Sequence, residues 1–593
     1  MRHLSSRDDF SRLFFWLMIL GGAWALLLDI TDGVSWQLGF VRLTSRDPFR
    51  PTVIAVACGA LSVFLSRAWL FAAFDWLRSV TFRYAALVGI GIGVATTLFA
   101  IRYGAFIAGG ADSYGYVSQA DLWLAGHLRV DQSWFPADDA GLSTWAIAPL
   151  GYRPGTILHT IVPVYSPGLP LLMAAFKAIA GAQGLFYVVP LLGGVVVVAT
   201  FLLGRLLFDE VVGLAAAALM AASPAFLFQL MFPMSDVPVA AAWTVALVLA
   251  VSEMPFAAGL MSGLAVLIRP NLPLLAIAVG FIAARPAISR DAVAPTLRRT
   301  LTFGIGLLPA VVGVAVLYWY LYGSPLESGY GSLATIYRWE YLGPNLRRYG
   351  AWLVQSQTLF VIGAIAPLVS PRFFPPLIRQ RATVLRIGLS LFLVLLAGSY
   401  LFYLPFDEWW YLRFVLSGFP VLLVLATGAL RSACHALASG QQARRMVLAA
   451  VFAGVLVLVG QWEVNFAKDH QITKLHIAEG RYADAGHALA QFTPANAVFL
   501  SMQHSGSLRY YSGRLTIRYT EISPTMLDAT LDGLAHKGFH PYIVLDDWEV
   551  PVFRERFASS ATGHLDWRPL YDIRRVVAYD PSARPGAQLP VLR

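Results

Sequence analysis

Residues 109–128 read GGADSYGYVSQADLWLAGHL, and they directly follow an apolar run at about residues 84–103. The segment opens on an acid and has helical periodicity, with Val117, Ala120 and Leu124 on one face and Ser118, Gln119 and Asp121 elsewhere. A run long enough to cross a bilayer, followed at once by a carboxylate and a short amphipathic helix, predicts a membrane protein whose polar chemistry begins at the rim of the hydrocarbon. On this pattern the 114–125 helix lies in the membrane plane, with Asp112 at its N-terminus.

The rest of the chain fits that frame. Of 593 residues, 57% are hydrophobic and only 13% charged, and the mean hydropathy is +0.62, which is the composition of a polytopic membrane protein. Thirteen apolar runs are expected as crossings, near 12–29, 52–72, 84–103, 184–204, 212–231, 237–253, 257–269, 271–284, 301–322, 351–370, 388–405, 414–430 and 447–462. The pair at 257–284 is short, and its IRPN break also fits one kinked helix. The apolar segment 166–181 is placed in the outer interface, and the N-terminal run is read as a retained helix, not a signal peptide.

Charge sets the orientation. The net charge of +10 comes largely from arginines in short connections, as at 285–299, 371–386 and 431–445, which the positive-inside rule places in the cytoplasm and which gives no reason to expect nucleic acid. An odd number of crossings then puts the N-terminus inside, and the connections 104–183 and 323–350 and the C-terminal segment outside. Charged residues rise from about 11% of 1–464 to about 21% of 465–593, so the expected division is a multi-pass domain, 1–464, and a small periplasmic α/β domain, 465–593. Within the latter, strands are expected at 497–501, 514–520, 541–547 and 575–580. A helix should start at an Ser523 N-cap with Pro524 in its first turn and end at Gly538. Cys58 and Cys434 define no disulfide framework.

Ionisable groups are scarce in the apolar part, so each carries a functional hypothesis. Asp112 and Asp236, the latter in FPMSDVP, fall on the same side; for each, a helix N-cap and a catalytic carboxylate both stay open. The 323–350 connection carries Glu327, Tyr330, Arg347 and Arg348, either as a solvated loop or as a lid that grips an anion. Arg413 begins an apolar run and needs a partner such as a phosphate, whereas Arg269 in LIRPN reads as a snorkelling helix-end arginine. No HExxH, Cys/His cluster, Walker loop or dinucleotide fingerprint occurs.

In order along the chain, GADSYGYVSQADLWLAG, YSPGLPLLMAAF, SPAFLFQLMFPMSDVP, GLAVLIRPNLPLL, YGSPLESGYG and YLRFVLSGFP resemble the GT-C superfamily of integral-membrane glycosyltransferases. Nearest are the bacterial protein O-mannosyltransferases, lipid A aminoarabinose transferases and lipopolysaccharide-core galacturonosyltransferases. The resemblance covers roughly 84–430. It implies a polyprenyl-phosphate-linked sugar donor, transfer of a hexose or pentose to an envelope acceptor at the outer face of the bacterial inner membrane, and inversion at the anomeric carbon. It carries a catalytic role onto Asp112 and a supporting one onto Asp236. Many relatives have an acid and a lysine before the proline of the second motif, whereas VYSPG has Tyr165 and Ser166; no cofactor is assigned and a divalent metal is left open. Arg153, Arg347, Arg348 and Arg413 are the candidate phosphate partners, with Tyr165, Glu327 and Tyr330 as further substrate-binding candidates. A transporter or flippase of lipid-linked sugars and a non-catalytic envelope scaffold are the rival functions.

Overall fold

The computed structural model describes residues 6–31, 33–38, 41–45, 47, 49–134, 142–285, 293–331, 336–438 and 442–585. Parts of two basic connections, 286–292 and 439–441, lie outside the described residues. The protein is a multi-pass helical bundle carrying a small mixed sheet near its C-terminus. Against the thirteen expected crossings, six described helices are long and apolar enough to cross a membrane, and eight if each bent pair counts as one span. The others, such as Asp236–Val251, Pro255–Ile268 and Leu275–Ala284, are shorter.

Four consecutive helices alternate in direction, and their end contacts establish it. Asp236, at the start of Asp236–Val251, pairs with Arg269, just past the end of Pro255–Ile268. Glu253, past the end of the first, pairs with Arg285, past the end of Leu275–Ala284. The IRPN break is therefore a hairpin between antiparallel helices and not a kink in one. The Val293–Tyr322 helix then returns to the Asp236 end, where Tyr322 bonds the Pro163 carbonyl. Inside the bundle, Thr200, Thr244 and Ser262 donate their hydroxyls to carbonyls four residues back, which satisfies groups that lipid cannot solvate.

The first large connection folds into a three-stranded antiparallel sheet, in the order 130–131, 160–163, 152–154, followed by the Gly168–Ala180 helix. The Asp112–Leu124 helix is more enclosed than an in-plane helix resting on a surface: Val117 and Ala120 are fully buried, as are Ser113, Tyr114 and Tyr116, while Leu124 is 45% exposed. The expected apolar face thus holds for its first two members. Packing from Gly168–Ala180 and from the C-terminal Ser505–Ser512 helix closes the remaining sides.

The C-terminal sheet has the order 515–517, 497–500, 540–546, 576–579, 571–573; its first three strands are parallel and the last two antiparallel. The four expected strands are present, and 571–573 adds an edge. The expected helix begins at Leu527, not at Ser523, because the Met526 amide closes a turn on the Ser523 carbonyl; Gly538 follows its end at φ +83°. The expected boundary at 464/465 falls inside the Gln442–Asp469 helix. The sheet shares its core with the first connection: Leu142, Ala146 and Ile147 pack with Ile517, Tyr519, Phe553 and Phe557, and the Arg518 amide bonds the Ala146 carbonyl at 2.7 Å.

Pro255–Ile268 and Val293–Tyr322 meet backbone to backbone through glycines. A Cβ on Gly259 would lie 2.0 Å from the Phe303 oxygen, and one on Gly306 2.4 Å from the Phe256 oxygen, the close approach that small residues permit between helices in lipid. Gly259→Leu is expected to cost about 1–3 kcal/mol or more by overpacking, read as a lower melting temperature of the detergent-solubilised protein, while Gly304→Leu, with open space around it, leaves it near wild type.

Candidate active site

Asp112 is the first residue of its helix, and the cap position belongs to Ala111, which makes no side-chain cap bond. The N-cap reading of Asp112 is thereby overturned: its carboxylate turns away from the helix amides. Oδ1 accepts from the Tyr165 hydroxyl at 2.6 Å and Oδ2 from Arg413 Nη1 at 2.9 Å. Tyr165 follows the 160–163 strand and Arg413 lies in the Trp409–Gly418 turn of helix, so three segments remote in sequence converge on one acid. Burial alone raises the Asp112 carboxyl, but the Arg413 charge, the two hydrogen bonds and the Arg269 charge outweigh it and hold its pKa below the ordinary aspartate value. Burial and the Asp112 charge push Tyr165 well above the ordinary tyrosine value, so its hydroxyl stays a donor.

Glycines make this approach feasible. A Cβ on Gly115 would stand 2.0 Å from the Tyr165 ring. Gly151, at φ +91°, brings its own chain to 3.0 Å from the Gly115 Cα, measured from the Cβ it lacks. A side chain on Gly115 would displace the Tyr165 ring, and one on Gly151 would press on the Gly115 and Ala111 backbone.

A second ion pair lies alongside. Asp236 also is the first residue of a helix whose cap, Ser235, makes no side-chain cap bond, and it too is not the cap that its sequence admits. Arg269 Nη2 donates to Asp236 Oδ1 at 2.6 Å, and its Nε and Nη1 reach Ser235 Oγ at 3.3 Å and Tyr400 Oη at 3.4 Å. The snorkelling reading of Arg269 is corrected: the side chain turns inward, because Asp236 has no exposed surface and needs a cation. Tyr116 links the pairs; its hydroxyl bonds Ser235 Oγ at 2.8 Å and its ring lies 4.5 Å from that of Tyr165. Met234 Sδ, two residues from Asp236, is 3.9 Å from Arg413 Nη1.

The other expected residues divide. Tyr330 joins the site: it is 55% exposed and its ring meets Tyr165 edge-on at 6.0 Å. Arg153 and Glu327 pair with each other at 3.0 Å, and Arg153 also bonds the Ser328 carbonyl, so together they seat the connection that carries Tyr330. Arg348 pairs with Asp407, Arg347 is exposed one residue before it, and neither has a contact with Asp112 among the described residues. Sequence reasoning missed Tyr116, Ser235, Asn271 and Tyr400 as partners. The adjacent polar pairs in MSDVP and IRPN were signals for Ser235 and Asn271, whereas Tyr400, ending an apolar run, gave none.

The tail grips this loop. The Ala108 amide donates to Tyr511 Oη at 2.8 Å, the Leu150 amide to Ser505 Oγ at 3.0 Å, and Tyr510 bonds Asp121, which also pairs with Lys177 at 2.6 Å. A Cβ on Gly109 would meet the Tyr482 ring at 2.6 Å. As for a divalent metal, among the described residues no group of three or more His, Cys, Asp or Glu is gathered. The donor set also runs against one, since the two Asp112 oxygens accept from the Tyr165 hydroxyl and the Arg413 guanidinium.

No family model matches the chain, and no curated protein matches it. Solved structures do. ArnT from Cupriavidus metallidurans, bound to undecaprenyl phosphate, superposes with a TM-score of 0.51 at 13% identity, over 85% of this chain and 98% of that one. The Archaeoglobus fulgidus oligosaccharyltransferase, in a complex with Zn and sulfate, gives 0.48 at 12% identity, over 80% of this chain and 69% of that one.

Removing one partner of the Asp236–Arg269 pair strands a buried charge, so Arg269→Met is expected to cost about 3–5 kcal/mol, and Asp236→Leu with Arg269→Met to recover much of it; thermal melts of the three proteins check this. At this level of identity the likeness is one of fold: this chain shares the polytopic helical architecture of ArnT.

Proposed function

We propose that the protein is an inverting glycosyltransferase that moves a sugar from a polyprenyl-phosphate donor to an envelope acceptor at the outer face of the bacterial inner membrane. One observation carries the reading: a carboxylate at the bundle rim is held by an arginine that has donors to spare, beside a second arginine locked in the protein interior. Arg413 Nε is buried without an acceptor among the described residues, and Arg413 Nη1 is shared between Asp112 and a methionine sulfur. A guanidinium in that position suits a phosphate, which binds arginine through two parallel hydrogen bonds. The undecaprenyl phosphate of the structurally similar ArnT supports the same donor class here.

The chemistry follows from the pairing. At rest, Arg413 makes Asp112 a weak base, because its pKa is depressed. A donor phosphate competes for Arg413 and releases Asp112 Oδ2, whose affinity for a proton then rises, since burial is offset less once that cation is engaged elsewhere. Asp112 takes the proton of the acceptor hydroxyl as its oxygen attacks the anomeric carbon opposite the phosphate. The bond from that carbon to the phosphate oxygen breaks, its electron pair leaves with the phosphate, and Arg413 stabilises the charge that develops. Tyr165 holds Asp112 Oδ1 throughout, and Arg269 adds a fixed positive charge. Tyr330 offers an exposed ring to the sugar. The arginine-rich opposite end of the bundle supports a cytoplasmic assignment for that end, and hence an outer position for the Asp112 site and the C-terminal sheet.

Sugar transfer in membranes, from radiolabelled polyprenyl-phosphate sugars to native envelope acceptors, tests the reading. Asp112→Asn at matched expression is expected to lower transfer by about a hundredfold or more. Arg413→Gln is expected to weaken donor use and to move the acid limb of the activity profile to higher pH: the depressed carboxyl pKa rises once its cation is gone, so protonation sets in earlier as pH falls. Equal transfer by wild type and Asp112→Asn removes Asp112 from the chemistry. Wild-type movement of labelled lipid across the bilayer without transfer replaces the enzyme by a flippase.

A further inference from the structure

The Asp236–Val251 helix has the candidate active site at its start, and Glu253 lies just past its other end. Sixteen residues at about 1.5 Å each separate the two ends by roughly 24 Å. At that far end three arginines meet the single Glu253 carboxylate: Arg285 just past Leu275–Ala284, Arg299 in the first turns of Val293–Tyr322 and Arg381 just before Ala382–Leu401. Arg285 Nη1 lies 2.5 Å and Arg299 Nη2 3.9 Å from Oε2, and Arg381 Nη2 lies 3.0 Å from Oε1.

The cluster carries more positive charge than its contacts explain. Among the described residues, Glu253 is the carboxylate that all three arginines share, so within this group three positive charges face one negative. Burial, with the neighbouring Arg381 and Arg299 charges, keeps Arg285 below the ordinary arginine value in spite of its bond to Glu253. Helix ends of both signs meet here: Pro255–Ile268 and Ala382–Leu401 begin with no side-chain cap, and Asp236–Val251 and Leu275–Ala284 end. Arg285 is largely covered, at 17% side-chain exposure, whereas Arg299 and Arg381 are open at 38% and 53%. The result is a fixed cation with two accessible ones around it. Glu253 and Arg285 both hold left-handed backbones, φ +67° and +53°, a conformation that persists in non-glycine residues only where the surroundings impose it.

We propose that this cluster binds a phosphate-bearing anion at the end of the bundle opposite Asp112, the phosphate taking Arg381 and Arg299 from Glu253 while Arg285 stays on the carboxylate. A phospholipid headgroup of the inner leaflet and a soluble phosphate share that chemistry. The site does not depend on the sugar-transfer reading, since none of its residues belongs to the Asp112 site.

Binding to the full-length protein in neutral detergent tests it, with dioctanoyl phosphatidic acid, inorganic phosphate and pyrophosphate as probes and dioctanoyl phosphatidylcholine as control. Arg299→Gln with Arg381→Gln, both at exposed positions, is expected to weaken phosphatidic acid binding at least about tenfold, and salt to weaken binding to the wild type. Glu253→Gln is expected to tighten it several-fold by removing the competing anion. Displacement of the lipid by pyrophosphate or phosphate assigns a soluble ligand, and its retention assigns a headgroup. Equal affinity in wild type and the double arginine variant, or no saturable binding of any phosphate probe, overturns the proposal.

Discussion

The Asp236 carboxylate has no exposed surface, a placement that is costly for an ionised group in a membrane bundle unless a cation stands beside it, and Arg269 supplies that cation. The constraint reaches well beyond two side chains. It fixes the end of Pro255–Ile268 against the start of Asp236–Val251 and, with the Glu253–Arg285 pair at the other end, makes the short IRPN segment a hairpin. Ser235, Tyr400 and Tyr116 are then drawn in as hydrogen-bond partners, and through Tyr116 the pair is joined to the loop that carries Asp112.

Asp112 obeys the same rule at the rim, with a different outcome. Its side chain keeps 31% exposure, and its cation, Arg413, arrives from a part of the chain about three hundred residues away in sequence. The difference lies at the acids, Asp236 at 0% side-chain exposure and Asp112 at 31%, while the two arginines are covered alike, at 13% and 17%. This difference in burial is why the proposed chemistry rests on Asp112 and the supporting charge on Asp236. The C-terminal segment acts on the same loop from outside: Tyr511, Ser505 and Tyr510 hold the backbone and side chains on either side of the Asp112 helix, so the placement of the acid depends on the tail as well as on the bundle.

The two ends of the bundle handle charge in opposite ways. At the Asp112 end each arginine of the site has its own carboxylate, while at the Glu253 end three share one.

By itself the sequence determined that this is a multi-pass helical protein with a small α/β segment after it, because hydrocarbon tolerates only long apolar helices and water-facing strands keep their own alternation. It also singled out Asp112, Asp236, Tyr165, Tyr330 and Arg413, since a polar group in an apolar context is conspicuous in a linear string. Pairing was not legible. Arg269 read as snorkelling and Arg153 as a phosphate partner, and each instead found an acid, Asp236 or Glu327, through the return path of the chain. Both helix-start acids read equally well as caps, and only the geometry turned their carboxylates away from the helix amides toward arginines and a tyrosine. Local spacing records which groups are costly to bury; which partner offsets that cost is decided by helices that meet far apart in sequence, and only the tertiary structure holds that information.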